Sequence, residues 1–93
     1  MNYKRIIVRR TSIKNELGMH ARPASKIAQM VDSAHSDVWI CANSTKVDAA
    51  SVIDILTLGA VKGTKVVIEI ENQEDEMILD QIFDFFEAGF GEK

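Results

Sequence analysis

The stretch DVWICANSTKVD, residues 37–48, decides the fold class of this chain. Val38, Ile40 and Ala42 are apolar and alternate with the residues between them, which is the period of a β-strand. The Asn-Ser pair at 43–44 supplies turn residues, and the four residues that follow are long enough for a second strand. The stretch therefore predicts a β-hairpin, which requires at least one antiparallel pair in the sheet.

Strand and helix patterns continue on both sides of the hairpin. The predicted elements, in chain order, are a strand at Tyr3–Thr11, a helix at Pro23–Val31, the hairpin strands at Asp37–Ala42 and Thr45–Asp48, a helix capped by Ser51, a strand at Lys65–Glu71 and a helix at Glu74–Ala88. Each helix carries an apolar stripe, and one face of a four-stranded sheet can bury all three stripes. We therefore predict an α+β open-faced sandwich with element order βαββαβα and three helices on one face.

The composition is typical of a single domain over residues 1–93. Apolar residues make up 46% of the chain and charged residues 27%, which is ordinary for a globular protein. Cys41 is the one cysteine, so no internal disulfide can form. We expect it to be a small core residue and the protein to lie in the reducing cytoplasm. The sequence has no zinc-type spacing and no run of about 20 apolar residues, so we expect no metal, no organic cofactor and no membrane insertion.

The net charge of −3 conceals an uneven distribution. Residues 1–31 contain seven lysines and arginines against one acid, whereas residues 64–93 contain nine acids. The basic residues are interleaved with apolar ones on a predicted strand, and the whole chain is acidic, which argues against nucleic acid as a partner. We instead expect the basic third of the chain to favour acidic partner surfaces.

The stretch GMHARPA, residues 18–24, places a histidine at the start of the first predicted helix. Pro23 fits the first turn, where the missing N–H is not needed and φ is already near its helical value. His20 then lies just outside the helix, where Ser, Thr, Asp or Asn is usual because these side chains accept from free amides. Capping alone therefore does not explain a histidine at this position.

The chemistry available to His20 is that of an anion site. A helix N-terminus presents unpaired N–H groups and a partial positive charge, and Arg22 adds a fixed, forked cation. Imidazole is largely neutral and nucleophilic near pH 7. A phosphoryl group on the ring would therefore face groups that stabilise its charge. A lone histidine near a helix start is more often a half-exposed loop residue, and the full seven-residue context is what favours the carrier interpretation.

GMHARPA resembles the active-site signature of the HPr family, the histidine-containing phosphocarriers of the bacterial phosphotransferase system. Residues 50–59, ASVIDILTLG, resemble the family's second segment, and residues 87–91, EAGFG, resemble its C-terminal ending. The spacing of 31 residues from His20 to Ser51 is also the family's spacing. The resemblance covers nearly the whole chain and implies that the four-stranded sheet is antiparallel.

The resemblance implies a role for each residue of the motif. His20 would accept a phosphoryl group on Nδ1 from phospho-enzyme I, itself charged from phosphoenolpyruvate, and pass it to a histidine on an EIIA-type protein. Arg22 would stabilise the phosphoryl charge, while Gly18, Ala21 and Pro23 would form the supporting turn. The protein would then be a monomeric phosphocarrier, which is the phosphorylated intermediate of a transfer chain rather than an enzyme.

A second set of residues would serve docking and regulation. The predicted apolar docking residues around the histidine are Met19, Val52, Ile53 and Leu56. Ser51 is the position on which an HPr kinase/phosphorylase acts in some members of the family. Serine-regulated members commonly have a lysine before this serine and a glycine three residues after it, where this chain has Ala50 and Asp54. The chain thus looks closer to the nitrogen-related (NPr) branch, which feeds a regulatory phosphorelay, and the sugar-transport branch stays open.

Two other functions stay open at this point. A regulator could use phosphorylation of His20 only to switch partner binding, without a transport role. A small acid-base enzyme could use His20 and Arg22, but Glu16 is the only acid near them in sequence. A chain of this length also offers little room for a substrate pocket.

Overall fold

Four antiparallel strands form one sheet in the computed structural model, which describes residues 5–92. The strands are β1 (Ile7–Ser12), β2 (Val38–Ala42), β3 (Thr45–Asp48) and β4 (Lys65–Ile70). The helices are α1 (Ala21–Met30), α2 (Val52–Thr57) and α3 (Glu76–Glu87), and short 3₁₀ turns occupy Val31–Ser33, Gln73–Asp75 and Gly89–Gly91. The predicted α+β open-faced sandwich with order βαββαβα is confirmed, and every strand pair is antiparallel.

The strand order β1-β4-β2-β3 places β4 in the interior of the sheet. Ile68 of β4 pairs with Arg9 on one side and with Ile40 on the other, and Ile40 pairs in turn with Val47. Ile40 and Ile68 are completely buried, so this row belongs to the face that the helices cover. Because side chains alternate along a strand, the neighbouring residues lie on the opposite, open face.

The three helices bury their apolar stripes on that one covered face. The helical residues that are at most 1% exposed are Ala24 and Ile27 of α1, Ile55 of α2, and Leu79, Ile82 and Phe86 of α3. Truncating a large side chain in such a core costs about 2–5 kcal/mol, because contacts are lost and a cavity remains. No helix within residues 5–92 has both the length and the apolar character needed to cross a membrane.

Most predicted boundaries differ from the structure by a few residues, and the starts of β1 and α1 are instructive examples. β1 begins at Ile7, whereas the prediction started the strand at Tyr3, which lies outside the described residues. α1 begins at Ala21, before the predicted start, because the carbonyl of His20 already accepts a hydrogen bond from the amide of Ala24. The ends of elements thus depend on individual hydrogen bonds that periodicity does not report.

Cys41 is not the core residue that the sequence predicted. It is half-buried on the open face of β2, because alternation places Ile40 and Ala42 in the core and the residue between them on the other side. Its Sγ lies 3.7 Å from Oε1 of Glu69. Burial, followed by the negative charge of Glu69, raises the pKa of the Cys41 thiol, so the thiol stays protonated at neutral pH.

Asp75 ties the start of α3 to the loop between α1 and β2. α3 begins later than predicted because Gln73–Asp75 forms a separate 3₁₀ turn. The Asp75 side chain is completely buried and accepts hydrogen bonds from the backbone amides of His35 at 2.8 Å and Ser36 at 3.0 Å. A buried carboxylate with two amide donors is well satisfied, and the two amides depend on it for their acceptor.

We expect Asp75→Ala to lower the free energy of unfolding by about 2–4 kcal/mol, because it removes two charge-assisted hydrogen bonds and leaves a cavity. Urea unfolding followed by circular dichroism measures the change. The matched control is Asp84→Ala, since Asp84 is an exposed acid of α3 and its removal should change stability by less than about 0.5 kcal/mol. Equal losses in the two variants would contradict the role of the buried carboxylate.

Candidate functional site

His20 is the residue immediately before α1, as predicted, and its backbone is extended (φ −136°, ψ −177°). Its carbonyl accepts from the Ala24 amide at 3.1 Å, which starts the helix. Its side chain makes no capping hydrogen bond and is 29% exposed. The first amides of a helix have no intrahelical acceptor, so those of Ala21 and Arg22 lie next to a ring that does not cap them.

The imidazole pairs with an acid from the other end of the chain. Nε2 of His20 lies 2.5 Å from Oε2 of Glu92, whose side chain is 14% exposed. Oε1 of Glu92 accepts from Nδ2 of Asn15 at 2.7 Å, and the same nitrogen donates to the carbonyl of Gly18 at 2.9 Å. Asn15 therefore connects the loop before α1 to the carboxylate that holds the ring.

The surroundings of Glu92 keep its carboxylate ionised. The hydrogen bond from Asn15 lowers the pKa of Glu92 from its ordinary value of 4.5, and the contact with His20 and the charge of Arg22 act in the same direction against burial. An ionised carboxylate has no proton to give, so Nε2 of His20 is the donor in this contact. In the neutral ring the lone pair is consequently on Nδ1.

A tight turn after α3 brings Glu92 next to His20. Gly89 and Phe90 both have a φ of 60°, in the left-handed region. The buried ring of Phe90 lies 5.0 Å, between centroids, from the rings of Phe85 and Phe86, and this packing offsets the strain of a left-handed backbone at a non-glycine residue. The amide of Glu92 donates to the carbonyl of Gly89 at 3.1 Å, which closes the turn.

Gly18 sets the path of the loop that precedes His20. Its φ is +70°, and a Cβ atom there would lie 2.7 Å from the carbonyl oxygen of Ala60. The amide of Met19 donates to that same oxygen at 2.9 Å. Only glycine combines this backbone conformation with so close a neighbour. The close approach gives a physical reason for glycine at a position that the sequence analysis placed in the supporting turn.

Arg22 is exposed on the first turn of α1 and makes no hydrogen bond or ion pair with another residue in the range 5–92. Pro23 beside it is buried, so the turn is packed while the guanidinium lies on the surface. The positive charge of Arg22 contributes to the lowered pKa of Glu92, which places it within the electrostatic reach of the site. An exposed forked cation suits an incoming anion with several oxygens.

The four predicted docking residues fall into two groups. Ile53 and Leu56 are 74% and 39% exposed on α2, whereas Met19 and Val52 are half-buried and pack against the core. A groove of about 470 Å³ between α1 and α2 is lined by Ser25, Ala28, Gln29, Asp32 and Val52. Of the four predicted residues, Ile53 and Leu56 therefore offer most of the apolar surface to a partner.

Ser51 caps α2, as predicted. Its Oγ accepts from the amide of Asp54 at 3.2 Å, and the residue is half-buried. Its own amide donates to the carbonyl of Asp48 at 3.1 Å, which fixes the backbone of the turn before the helix. A serine cap of this kind contributes about 1 kcal/mol to helix stability.

Asn15 and Glu92 are the residues of the site that sequence reasoning missed. Glu16, the nearest acid in sequence, instead pairs with Lys62. Glu92 lies 72 positions from His20, so no local pattern connects the two. The one signal in the sequence is the pair of glycines near the C-terminal end, which indicates a turn that returns the chain.

We expect Gly18→Ala to destabilise the fold clearly more than Gly59→Ala. Both glycines have a positive φ, but a Cβ at Gly59 would meet nothing within 4 Å, whereas one at Gly18 would meet the Ala60 carbonyl. Backbone strain alone should cost about 1–2 kcal/mol in Gly59→Ala, and displacement of the loop should raise the loss to about 3–5 kcal/mol in Gly18→Ala. Thermal unfolding checks the order, and equal losses would show that the close approach does not constrain the loop.

The lowered pKa of Glu92 predicts how the stability of the site changes at low pH. Because folding lowers this pKa, the ionised carboxylate stabilises the fold at pH values above the pKa of Glu92 in the unfolded state. This stabilisation is lost as the pH falls through the lowered pKa of the folded state. We expect the side-chain amide resonances of Asn15 to report a carboxylate titration with its midpoint below 4.5, the ordinary value for glutamate. NMR of the wild type measures this titration, and Glu92→Gln should abolish it. A midpoint at or above 4.5 would contradict the predicted direction.

Comparison with known protein families identifies one that matches most of the chain. Residues 7–88 match the PTS-HPr family, described as the PTS HPr component phosphorylation site. The phosphocarrier protein HPr of Chlamydia pneumoniae is 38% identical over 80 residues, which cover 86% of this chain and 74% of the relative. The phosphocarrier protein NPr of Proteus mirabilis is 39% identical over 85 residues, which cover 90% of this chain and 94% of the relative.

The fold agrees with this similarity. The crystal structure of HPr from Thermoanaerobacter tengcongensis matches with a TM-score of 0.84 and 32% sequence identity, over 94% of this chain and 98% of that one. The family match therefore extends from the histidine motif to the arrangement of strands and helices. On its sequence and its fold, the chain belongs to the HPr family of phosphocarrier proteins.

Proposed function

We propose that His20 carries the phosphoryl group of this protein, which is a phosphoryl carrier of the phosphotransferase system. The observation that carries the proposal is the pairing of Nε2 with Glu92 at 2.5 Å, because it leaves the Nδ1 lone pair of the neutral ring free to attack phosphorus. His35, the other histidine, is exposed on the loop between α1 and β2, where its Nε2 lies 3.3 Å from Glu74.

The transfer is a displacement at phosphorus. The Nδ1 lone pair attacks the phosphoryl group of phospho-enzyme I, the donor's bond to phosphorus breaks with its electron pair, and the ring becomes a cation that keeps its proton on Nε2. Arg22 and the first amides of α1 would stabilise the charged oxygens. Attack by a histidine of an EIIA-type acceptor returns the electron pair of the P–N bond to Nδ1. The protein ends as it began, as an intermediate of the chain rather than an enzyme.

Enzyme I and the EIIA-type acceptor would bind the same surface in turn. Ile53 and Leu56 supply exposed apolar contact, and Arg22 and Lys26 supply exposed positive charge on α1. Acidic partner surfaces fit this combination, since complementary charge speeds the encounter. A small contact area allows rapid release, which a monomeric carrier with two successive partners requires. Such partners also fit the cytoplasmic location that the sequence predicts.

Ser51 stays a predicted regulatory site. A phosphate on its Oγ would lie at the start of α2, where the partial positive charge of the helix tolerates it. The added negative charge would lie two residues before Ile53 in the chain and would repel acidic partners. An HPr kinase/phosphorylase would be the partner for this step, which would regulate docking rather than the chemistry of His20.

The carrier function is tested by mass spectrometry of the protein after incubation with enzyme I, Mg²⁺ and phosphoenolpyruvate. We expect an acid-labile gain of one phosphate on the wild type and on His35→Ala, and no gain on His20→Ala. Arg22→Ala should slow the gain by about tenfold or more, because it removes a charge-assisted contact with the phosphoryl oxygens.

Two outcomes would contradict this proposal. The wild type could take up no phosphate while the same enzyme I phosphorylates its own carrier, which would exclude the carrier function. His20→Ala could retain the acid-labile phosphate, which would show that another residue carries the phosphoryl group. His35→Ala is the control that separates loss of the reacting histidine from loss of any histidine.

A further inference from the structure

The carboxylate of Glu92 is held from two sides. Asn15 donates to Oε1 at 2.7 Å, and the chain leading to Glu92 is fixed by the packed ring of Phe90. Oε2 is left to contact the imidazole of His20 at 2.5 Å. A carboxylate fixed by both a hydrogen bond and a packed turn does not follow the ring when the ring rotates. The ring therefore takes the orientation that the carboxylate allows.

We infer that Glu92 is a positioning residue for phosphoryl transfer, which fixes the Nε2–H tautomer and the orientation of His20 and stabilises the cationic ring once Nδ1 carries phosphate. This inference rests on the proposed function of His20 as the carrier residue. Asn15 takes part indirectly, because it holds the carboxylate and does not itself touch the ring.

The first part of the role concerns the neutral ring. Imidazole can have its proton on either nitrogen, and only the form with the proton on Nε2 has a lone pair on Nδ1. A ring without a fixed partner samples both forms and is unreactive at Nδ1 for part of the time. An ionised carboxylate 2.5 Å from Nε2 selects the reactive form, because it can accept a hydrogen bond and cannot donate one.

The second part concerns the phosphorylated ring. Bond formation between Nδ1 and phosphorus makes the ring a cation while its proton stays on Nε2, and a carboxylate at hydrogen-bond distance stabilises that charge. When an acceptor takes the phosphoryl group, the electron pair returns to Nδ1 and the ring is already in the Nε2–H form. No proton has to move in either direction, so the carrier is ready for the next donor.

The first experiment uses the unphosphorylated protein, so that it does not depend on the carrier role. NMR of the imidazole nitrogens reports which nitrogen holds the proton. We expect neutral His20 of the wild type to be in the Nε2–H form, and Glu92→Ala to show a mixture of both forms. Glu74→Ala is the matched control, because it removes the carboxylate that contacts His35 and should leave His20 unchanged.

The second experiment measures phosphoryl transfer from phospho-enzyme I at low and at saturating carrier concentration. Glu92→Ala should lower kcat by about 5–20-fold with KM unchanged, because the exposed docking residues are intact while the ring is no longer held. Glu92→Asp keeps the charge and should recover part of the rate, whereas Glu74→Ala should match the wild type. Glu92→Asp also keeps the test decisive if the alanine variant does not fold.

The inference would be overturned if the wild type and Glu92→Ala show the same tautomer mixture, or if folded Glu92→Ala transfers phosphoryl at the wild-type rate. A rise in KM with unchanged kcat would also overturn it, since that result would place Glu92 in partner binding. The absence of phosphate on every variant, including the wild type, would remove the proposed function. The tautomer measurement would in that case still decide whether Glu92 orients the ring.

Discussion

The packing of three helices against one face of the sheet is the constraint on which the site depends. Because the helices share that face, the start of α1 and the turn after α3 lie side by side although they are far apart in the chain. Ile27 of α1 and Phe86 of α3 are both buried in the same core, which holds the two helices in place. The contact of 2.5 Å between His20 and Glu92 follows from this arrangement.

The site is arranged around exposed charge rather than inside an enclosed pocket. His20 keeps 29% of its side chain exposed, and Arg22 lies on the surface. A protein that receives a group from one partner and gives it to another has to leave that group accessible to both. A helix start and a forked cation meet this need, because they stabilise negative charge from one side only. Rigidity comes from the packed turns around the ring rather than from walls that would enclose it.

Local patterns predicted the number, type and order of the elements, since period and turn chemistry are properties of consecutive residues. The alternation of Val38, Ile40 and Ala42 identified the covered face of β2 correctly. Cys41 was predicted to be in the core from its residue type, although the same alternation puts it on the open face. The start of α1 was also misplaced, because one hydrogen bond to the carbonyl of His20 extends the helix.

By itself, the sequence determined where the proposed carrier histidine would lie and what would surround it locally. GMHARPA places His20 at a helix start, and Ser51 caps the next helix, because proline geometry and serine capping act within a few residues. Only the tertiary structure decided which nitrogen of His20 is held and which acid holds it. That contact joins positions 72 residues apart, and it exists because burial elsewhere in the core brings the two segments together.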